Sequence, residues 1–508
     1  MLSGLLLIPF LGALALVLWP GDPAPDKVRR ASVFLLGLQL FWTLWLLIPF
    51  DPGNPELQLH ESLPWVDSLG LDYRLGIDGL SMPLVIINAA LTMMSAWTSH
   101  AVSQRPQFYF AMLIIISGAV NGAFLAENLL LFFLFYELEL IPLWLLIAIW
   151  GGKNRAYAAT KFLLFTAVSG MLILGAFFGL ALVTEQADFS FSPVLSGQLG
   201  MGTQLVLLGA LLTGFGIKIP LVPFHTWLPD AHTEASTPVS VLLAGVLLKL
   251  GSYGLLRFGL GLFPQAWALL APWLAGWAAV SVLYGSLAAI VQRDMKRMVA
   301  YSSVGHMGYV LLAAAAATPT SLLGAVFQMV SHGLISALLF LLVGAVYQTT
   351  GTRDLEILRG LLNPERGLPL VGSLMILGVM ASAGLPGMAG FISEFLVFRG
   401  SLDAYPLATL LCMVGSGLTA VYFLLLVNRV FFGRLAITPP VTSSGLGPAN
   451  IVVPTLPLVE QIPALTLAIV VVVLGLVPAG LGRLSETTTT AMSHTPAMVA
   501  TVQVAGFG

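Results

Sequence analysis

Charged side chains are scarce in this sequence. Asp, Glu, Lys and Arg make up only 9% of its 508 residues, where a soluble globular domain carries about 25%. So few charges cannot cover a water-facing surface. With 58% hydrophobic residues and a mean hydropathy of +0.95, the chain reads as an integral membrane protein in contact with the lipid bilayer. A basic surface is missing too. The formal net charge is −2, which excludes nucleic-acid binding through phosphate contacts. Cysteine is nearly absent. The lone Cys412 excludes a disulfide scaffold, a structural zinc site and an all-cysteine iron–sulfur cluster within this chain. There is no Walker loop, no G-x-G-x-x-G opening a βαβ unit, no C-x-x-C and no haem attachment motif. No cofactor or metal is therefore expected here, and energy for any work must come from an ion gradient or a partner.

What the sequence does have is long apolar runs. About 14 reach the length of a transmembrane helix: roughly 2–19, 30–50, 80–98, 107–125, 127–150, 158–184, 203–223, 236–258, 266–290, 298–317, 321–347, 368–396, 404–428 and 461–481. Barrel strands would alternate over about 10 residues, so these continuous runs predict an all-α membrane protein. No positive charge precedes the first run, which reads as a retained helix rather than a cleaved signal. Basic residues orient the spans. Fifteen of the 21, from Lys27 to Arg434, fall in alternate connections, whereas Arg74, Arg257, Arg399 and Arg483 lie on the other side. The basic side is then the inside, and both termini are expected on the outer, lumenal or periplasmic face. Residues 56–61 and 71–78 alternate with period 2 and predict a β-hairpin over that face. The Pro-, Gly- and Ser-rich connection 435–460 reads as irregular, and the Thr-rich tail after Gly482 shows no strong pattern.

Two spans are interrupted. The seventh carries Lys218, Pro220 and Pro223, and the twelfth carries Gly384, Pro386, Gly387 and Glu394. Proline removes a backbone hydrogen bond, which hydrocarbon tolerates only where protein or water satisfies the freed groups. Each break is fourth in a run of five spans, 4–8 and 9–13. An odd count per repeat forces two copies into opposite orientations, the pattern of inverted transporter repeats. Two ordinary proline kinks are the plainer alternative. The expected organisation is spans 1–3 with the hairpin (1–106), a first repeat (107–260), a second repeat (261–434), then loop, last span and tail (435–508).

Apart from charges assigned to connections or helix ends, five charged residues are read as lying at membrane depth: Glu137, Glu139, Lys218, Lys249 and Glu394. A charge at the bilayer centre costs about 2.5–3.5 kcal/mol on insertion scales, so these groups should face the protein interior and pair there, as a relay or as structural ion pairs. Glu137 and Glu139 point roughly 200° apart on a helix, and Glu137 is taken as the inward one. The expected switch is Glu137–Lys218, with Lys249 carrying protons through the middle and Glu394 exchanging them near the other side. His306 and His332 sit beside glycine in consecutive spans, where neutral imidazole suits a relay between Lys249 and Glu394; buried, satisfied histidines are the alternative. His225 and His232 equally well cap the seventh-span break.

The motifs Phe135-Tyr-Glu137-Leu-Glu-Leu-Ile-Pro142, Lys218-Ile-Pro-Leu-Val-Pro-Phe-His-Thr-Trp-Leu-Pro-Asp-Ala-His232, Leu247-Leu-Lys249-Leu-Gly, Ala300-Tyr-Ser-Ser-Val-Gly-His-Met-Gly308 and Gly384-Leu-Pro-Gly-Met-Ala-Gly-Phe-Ile-Ser-Glu394 resemble the antiporter-like, proton-pumping membrane subunits of complex I-type dehydrogenases. Among these, chain 4 (subunit M) is the nearest likeness, and Glu394 favours it over sister subunits that look lysine-like there. The resemblance implies that Glu137 and Lys218 form a pair, that Lys249 is the central lysine and that Glu394 is the terminal site. The stretch from His232 to Lys249 looks similar to the cyanobacterial and chloroplast branch. That branch implies ferredoxin or NAD(P)H as donor, with iron–sulfur clusters and plastoquinone handled by other subunits. It also implies a thylakoid (or bacterial plasma) membrane and neighbouring antiporter-like subunits as partners. Gly305 and Ser252 depart from the common pattern and suggest the variant that sits beside a carbon dioxide-hydrating module. The rivals are a cation/proton antiporter subunit and a non-conducting structural subunit.

Overall fold

The computed structural model describes residues 1–184, 189–437, 454 and 456–505. Before the interior lie α1 (Gly4–Val17), α2 (Pro25–Trp45), the strands β1 (Gln58–Val66) and β2 (Leu71–Ile77), α3 (Met82–Trp97) and α4 (Pro106–Leu125). Next come α5 (Leu129–Leu138), α6 (Leu140–Trp150), α7 (Arg155–Val183), the short α8 (Pro193–Gly197), α9 (Met201–Lys218), α10 (Trp227–Glu234), α11 (Thr237–Leu242) and α12 (Leu248–Gly254). The chain continues through α13 (Pro264–Ile290), α14 (Met295–Ala316), α15 (Pro319–Thr350), β3 (Leu358–Arg359), α16 (Pro369–Ser382), α17 (Ala389–Ser401), α18 (Pro406–Val430) and β4 (Ala436–Ile437). It ends in α19 (Leu458–Leu476) and α20 (Ala479–Ala505).

Among the described residues, 10 helical stretches are long and apolar enough to cross a membrane, and Gly4–Val17, Met82–Trp97 and Pro369–Ser382 are shorter apolar helices. Burial sorts them. The stretch Thr237–Leu260 is wholly enclosed by protein and Met295–Ala316 nearly so, at 100% and 94%, whereas Leu458–Leu476 is 33% buried and faces outward. The innermost spans are therefore those that carry Lys249 and His306.

The expected hairpin is present: β1 and β2 pair antiparallel. It ties down the chain's start, because Glu61 accepts hydrogen bonds from the Leu2 and Ser3 amides at 2.7 and 3.0 Å. The last helix meets the same face. Thr488 of α20 accepts from the Gly79 amide at 3.1 Å, and Ser485, Thr488 and Thr489 are buried. The Thr-rich tail is thus a helix with a hydroxyl-lined packing face, where its sequence shows no apolar period. Most of the expected irregular connection 435–460 lies outside the described residues.

Between the hairpin and α3, Asp78 is buried and turns the chain. One carboxylate oxygen accepts from the Leu80 and Ser81 amides at 3.1 and 3.0 Å, and the other pairs with the Arg257 guanidinium at the end of the enclosed Thr237–Leu260 stretch. Removing one partner of a buried ion pair costs about 3–5 kcal/mol, because the remaining charge is left uncompensated. Arg257→Met should therefore lower the thermal midpoint of the purified protein sharply, and Arg257→Lys should recover part of the loss. An unchanged midpoint for the methionine variant contradicts this anchor.

Candidate functional site

The two interrupted spans break where glycine and proline predict, but their freed backbone groups are satisfied differently. After α9 ends at Lys218, the carbonyls of Ile217 and Val222 accept from the indole N–H groups of Trp227 and Trp277, at 2.8 and 2.5 Å. Between α16 and α17, Gly384 and Gly387 adopt φ of +71° and +91°, which only glycine takes without strain. The Ser382 carbonyl at this break faces His306 Nε2 at 3.2 Å. The first break is closed by tryptophan, and the second opens onto a titratable side chain.

Lys218 is buried at the first break, and its partner is not the expected one. Its ammonium is hydrogen-bonded to Glu139, which is fully buried, and lies 4.0 Å from the centre of the Tyr136 ring, an arrangement that adds cation–π attraction. Glu137 is turned toward α7. A Cβ on Gly170 would stand 2.2 Å from its Oε1, so the missing side chain there makes room for this carboxylate. The Glu137–Lys218 pair is thus corrected to Glu139–Lys218. The two carboxylates face apart, as their spacing predicts, and room decides which meets the lysine: Gly170 leaves space on α7 for Glu137, while Glu139, at the junction of α5 and α6, faces Lys218. The second Glu139 oxygen is buried without a hydrogen-bond partner among the described residues.

Among the described residues, Lys249 has no carboxylate partner within salt-bridge distance. It sits on α12 between two π-helical segments, Leu243–Leu247 and Leu255–Leu260, of the kind that often marks functional sites. The first releases the Ala244 carbonyl, which accepts from the Lys249 ammonium. The ammonium also approaches His332 Nδ1 at 2.7 Å. Gly333 permits this, since a Cβ there would come within 2.9 Å of the Gly245 carbonyl and 3.5 Å of Lys249 Cε. His332 and His306 lie with ring centroids 5.7 Å apart, and His306 Nε2 is 3.9 Å from Glu394 Oε1. Lys249, His332, His306 and Glu394 therefore stand in one line through the interior.

His306 Nδ1 faces the Ser302 carbonyl at 2.8 Å while Nε2 faces Ser382. Carbonyls only accept, so this surrounding suits the imidazolium, in which both nitrogens carry N–H. A cavity of about 10 Å³ lies between these groups, lined by Ser302, His306, Gln328, Ser331, His332 and Glu394 among others. It has room for about one water. His332 Nε2 and Gln328 Oε1, both on lining residues, have no protein partner among the described residues. A larger cavity of about 610 Å³, lined by His100, Glu234, Ser236, Lys296, Arg353 and Glu460, lies at the end of α3 away from the hairpin. His225 lies within reach of the Pro223 carbonyl, as a cap at this break would. His232 instead stacks on Phe340 at 4.5 Å, with neither ring nitrogen hydrogen-bonded among the described residues.

A family model described as "NADH:quinone oxidoreductase/Mrp antiporter, TM" matches residues 126–419, more than half of the chain. The chain belongs to this family. The matched region holds every candidate residue from Glu137 to Glu394. NAD(P)H-quinone oxidoreductase chain 4 1 of Synechococcus sp. (strain JA-3-3Ab) is 42% identical over 440 residues, covering 85% of this chain and 82% of that one. Chain 4 2 of Microcystis aeruginosa (strain NIES-843 / IAM M-2473) is 42% identical over 444 residues, covering 85% and 79%. In respiratory complex I from Thermus thermophilus, one chain superposes with a TM-score of 0.86 at 28% identity, over 98% of this chain and 100% of that one. The fold is shared with the Mrp complex from Dietzia sp. DQ12-45-1b, at a TM-score of 0.85 and 22% identity over 99% and 98%. The protein is thus an antiporter-like integral membrane protein that resembles chain 4.

Against this family background, the two departures from the common pattern have local packing roles. A Cβ on Gly285 would stand 2.5 Å from the Gly305 amide, so these glycines mark a close approach of α13 and α14. Ser252 donates to its own helix at Leu248. The Lys218 assignment has a direct test. Glu139→Gln leaves Lys218 without its counter-charge and should cost about 3–5 kcal/mol, less if the lysine sheds its proton. Glu137→Gln should cost under about 1 kcal/mol. Thermal midpoints of the purified variants measure both, and the reverse ranking contradicts the pairing.

Proposed function

We propose that this chain is a proton-translocating membrane subunit of a complex I-type NAD(P)H-quinone oxidoreductase. The observation that carries this reading is the succession of Lys249, His332, His306 and Glu394, each next to the last, in the most enclosed part of the bundle. Structural ion pairs need only two members, and this line holds four titratable groups, two histidines between a lysine and a glutamate. Lysine and glutamate supply charge, while histidine both takes and gives a proton. Lys218 and Glu139 form the switch. Separating this pair removes a carboxylate beside Lys218 and changes the field felt at Lys249. Lys249 then passes a proton to His332 Nδ1, and His332 gives one from Nε2 through the small polar cavity toward His306. His306, as imidazolium, delivers its Nε2 proton to Glu394. The larger cavity is the proton entry from the inside.

The finer reading rests on the sequence motifs, the charge bias of the connections and the cyanobacterial origin of the chain 4 relatives. Spans 4–8 and 9–13 are inverted repeats within a topology of about 14 helices, with both termini on the lumenal or periplasmic side. The complex is the photosynthetic form in a thylakoid membrane. Its iron–sulfur clusters and plastoquinone belong to other subunits, with ferredoxin or NAD(P)H as the source of electrons. Neighbouring antiporter-like subunits flank this one, and a carbon dioxide-hydrating module is the partner to look for in co-purification.

Complexes that assemble with Lys249→Ala, reconstituted in liposomes, should acidify the lumen roughly tenfold more slowly or worse per quinone reduced. The native complex should show no sodium dependence. Native pumping in the variant supports the structural-subunit rival, and a sodium requirement supports the cation/proton antiporter.

A further inference from the structure

The line of titratable groups ends at Glu394, and the two oxygens of that carboxylate face different elements. Oε1 looks toward His306 at 3.9 Å. Oε2 accepts a hydrogen bond from Ser416 Oγ at 2.6 Å, and Ser416 lies on α18, outside the set of family motifs. Gly384 completes the pocket. A Cβ there would stand 2.8 Å from Oε2 and 3.8 Å from Ser416 Oγ, so the glycine at the α16–α17 break keeps the Oε2 side open. Behind Ser416 stands the Tyr309 hydroxyl, which reaches the Cys412 carbonyl at 3.5 Å. Tyr309 is one turn beyond His306 along α14, toward the end where Trp267 Nε1 bonds the Ala314 carbonyl at 2.9 Å. That end belongs to the hairpin face, because Leu262, just before α13, bonds Ser196 of α8, and α8 packs against α20.

We propose that Ser416, backed by Tyr309, is the proton-exchange partner of Glu394 on the hairpin side, so that a proton received on the His306 side is carried round by rotation of the carboxyl group and leaves on the Ser416 side. This deepens the proposed function and rests on it. The step balances without a co-reactant. When Glu394 carries a proton on Oε2, the Ser416 hydroxyl turns and accepts it while its own proton passes to the Tyr309 oxygen or to water. The Tyr309 O–H proton moves on in the same way, and each hydroxyl ends with one proton. When Glu394 is ionised, the same serine donates to it, as the structure shows, and stabilises the charged form. Separate faces for arrival and departure give the transfer a direction, and a carboxylate with one partner would lack this.

The test uses the assembled complex in liposomes. Ser416→Ala should slow proton pumping per quinone reduced by roughly tenfold, and Ser416→Thr, which keeps the hydroxyl, should recover most of it. Infrared difference spectra give a second readout. The carboxylic C=O band that Glu394→Gln removes should shift to higher frequency in Ser416→Ala, because its hydrogen bond is lost, and return in Ser416→Thr. Should the alanine variant not assemble, Ser416→Cys, a weak hydrogen-bonding group of similar volume, replaces it with the same expectation. Native pumping and an unshifted band in Ser416→Ala overturn the proposal, as does equal impairment of the alanine and threonine variants, which means packing alone. Native pumping in Glu394→Gln fails the functional reading itself and is distinguishable from either.

Discussion

Every feature of the interior follows from the cost of holding charge away from water. Each of Glu137, Glu139, Lys218, Lys249 and Glu394 sits in a span where an unpaired charge costs several kcal/mol. The structure meets that cost in three ways. Lys218 and Glu139 neutralise one another directly. Lys249 is held by a backbone carbonyl and an imidazole. Glu394 is held by a hydroxyl, with a histidine nearby.

The backbone irregularities serve the same end. A regular helix has no spare carbonyl for a buried ammonium. The π segments flanking Lys249 supply one at Ala244, and the break before Glu394 supplies another at Ser382 for His306. Glycines do the complementary work of making room. Gly170 accommodates Glu137, Gly333 lets α15 approach Lys249, and Gly384 leaves space for the Glu394 carboxylate. By contrast, the break after Lys218 is sealed by two indole N–H groups. This leaves the Lys218–Glu139 pair as a closed unit, while the Glu394 end is open to exchange.

Much of this was legible before the fold was known. Hydropathy located the spans, period-2 alternation located the hairpin, and Gly–Pro clusters located both breaks, because each signal reflects a local backbone constraint. His306 and His332 were legible from their place in consecutive spans. The partner of Lys218 was not. Helical spacing says that Glu137 and Glu139 face apart, and not which of them meets Lys218; the family motif favoured Glu137, and the packing at Gly170 and Lys218 selects Glu139. Ser416 was invisible for a different reason. A hydroxyl in an apolar helix carries no periodic or charge signal, and only tertiary packing brings it to Glu394. The same holds for the threonine face of α20 and for Asp78, whose partner Arg257 lies far away in sequence.

The central claim is that protons cross the interior through the groups around Lys249 and Glu394. The most direct measurement is an experimental map of the assembled complex at a resolution that shows ordered water. A water in the small cavity, bonded to His332 Nε2 and Gln328 Oε1 and leading to His306, is the result predicted. A dry cavity, with His332 and His306 separated by apolar side chains in every state captured during turnover, would contradict it.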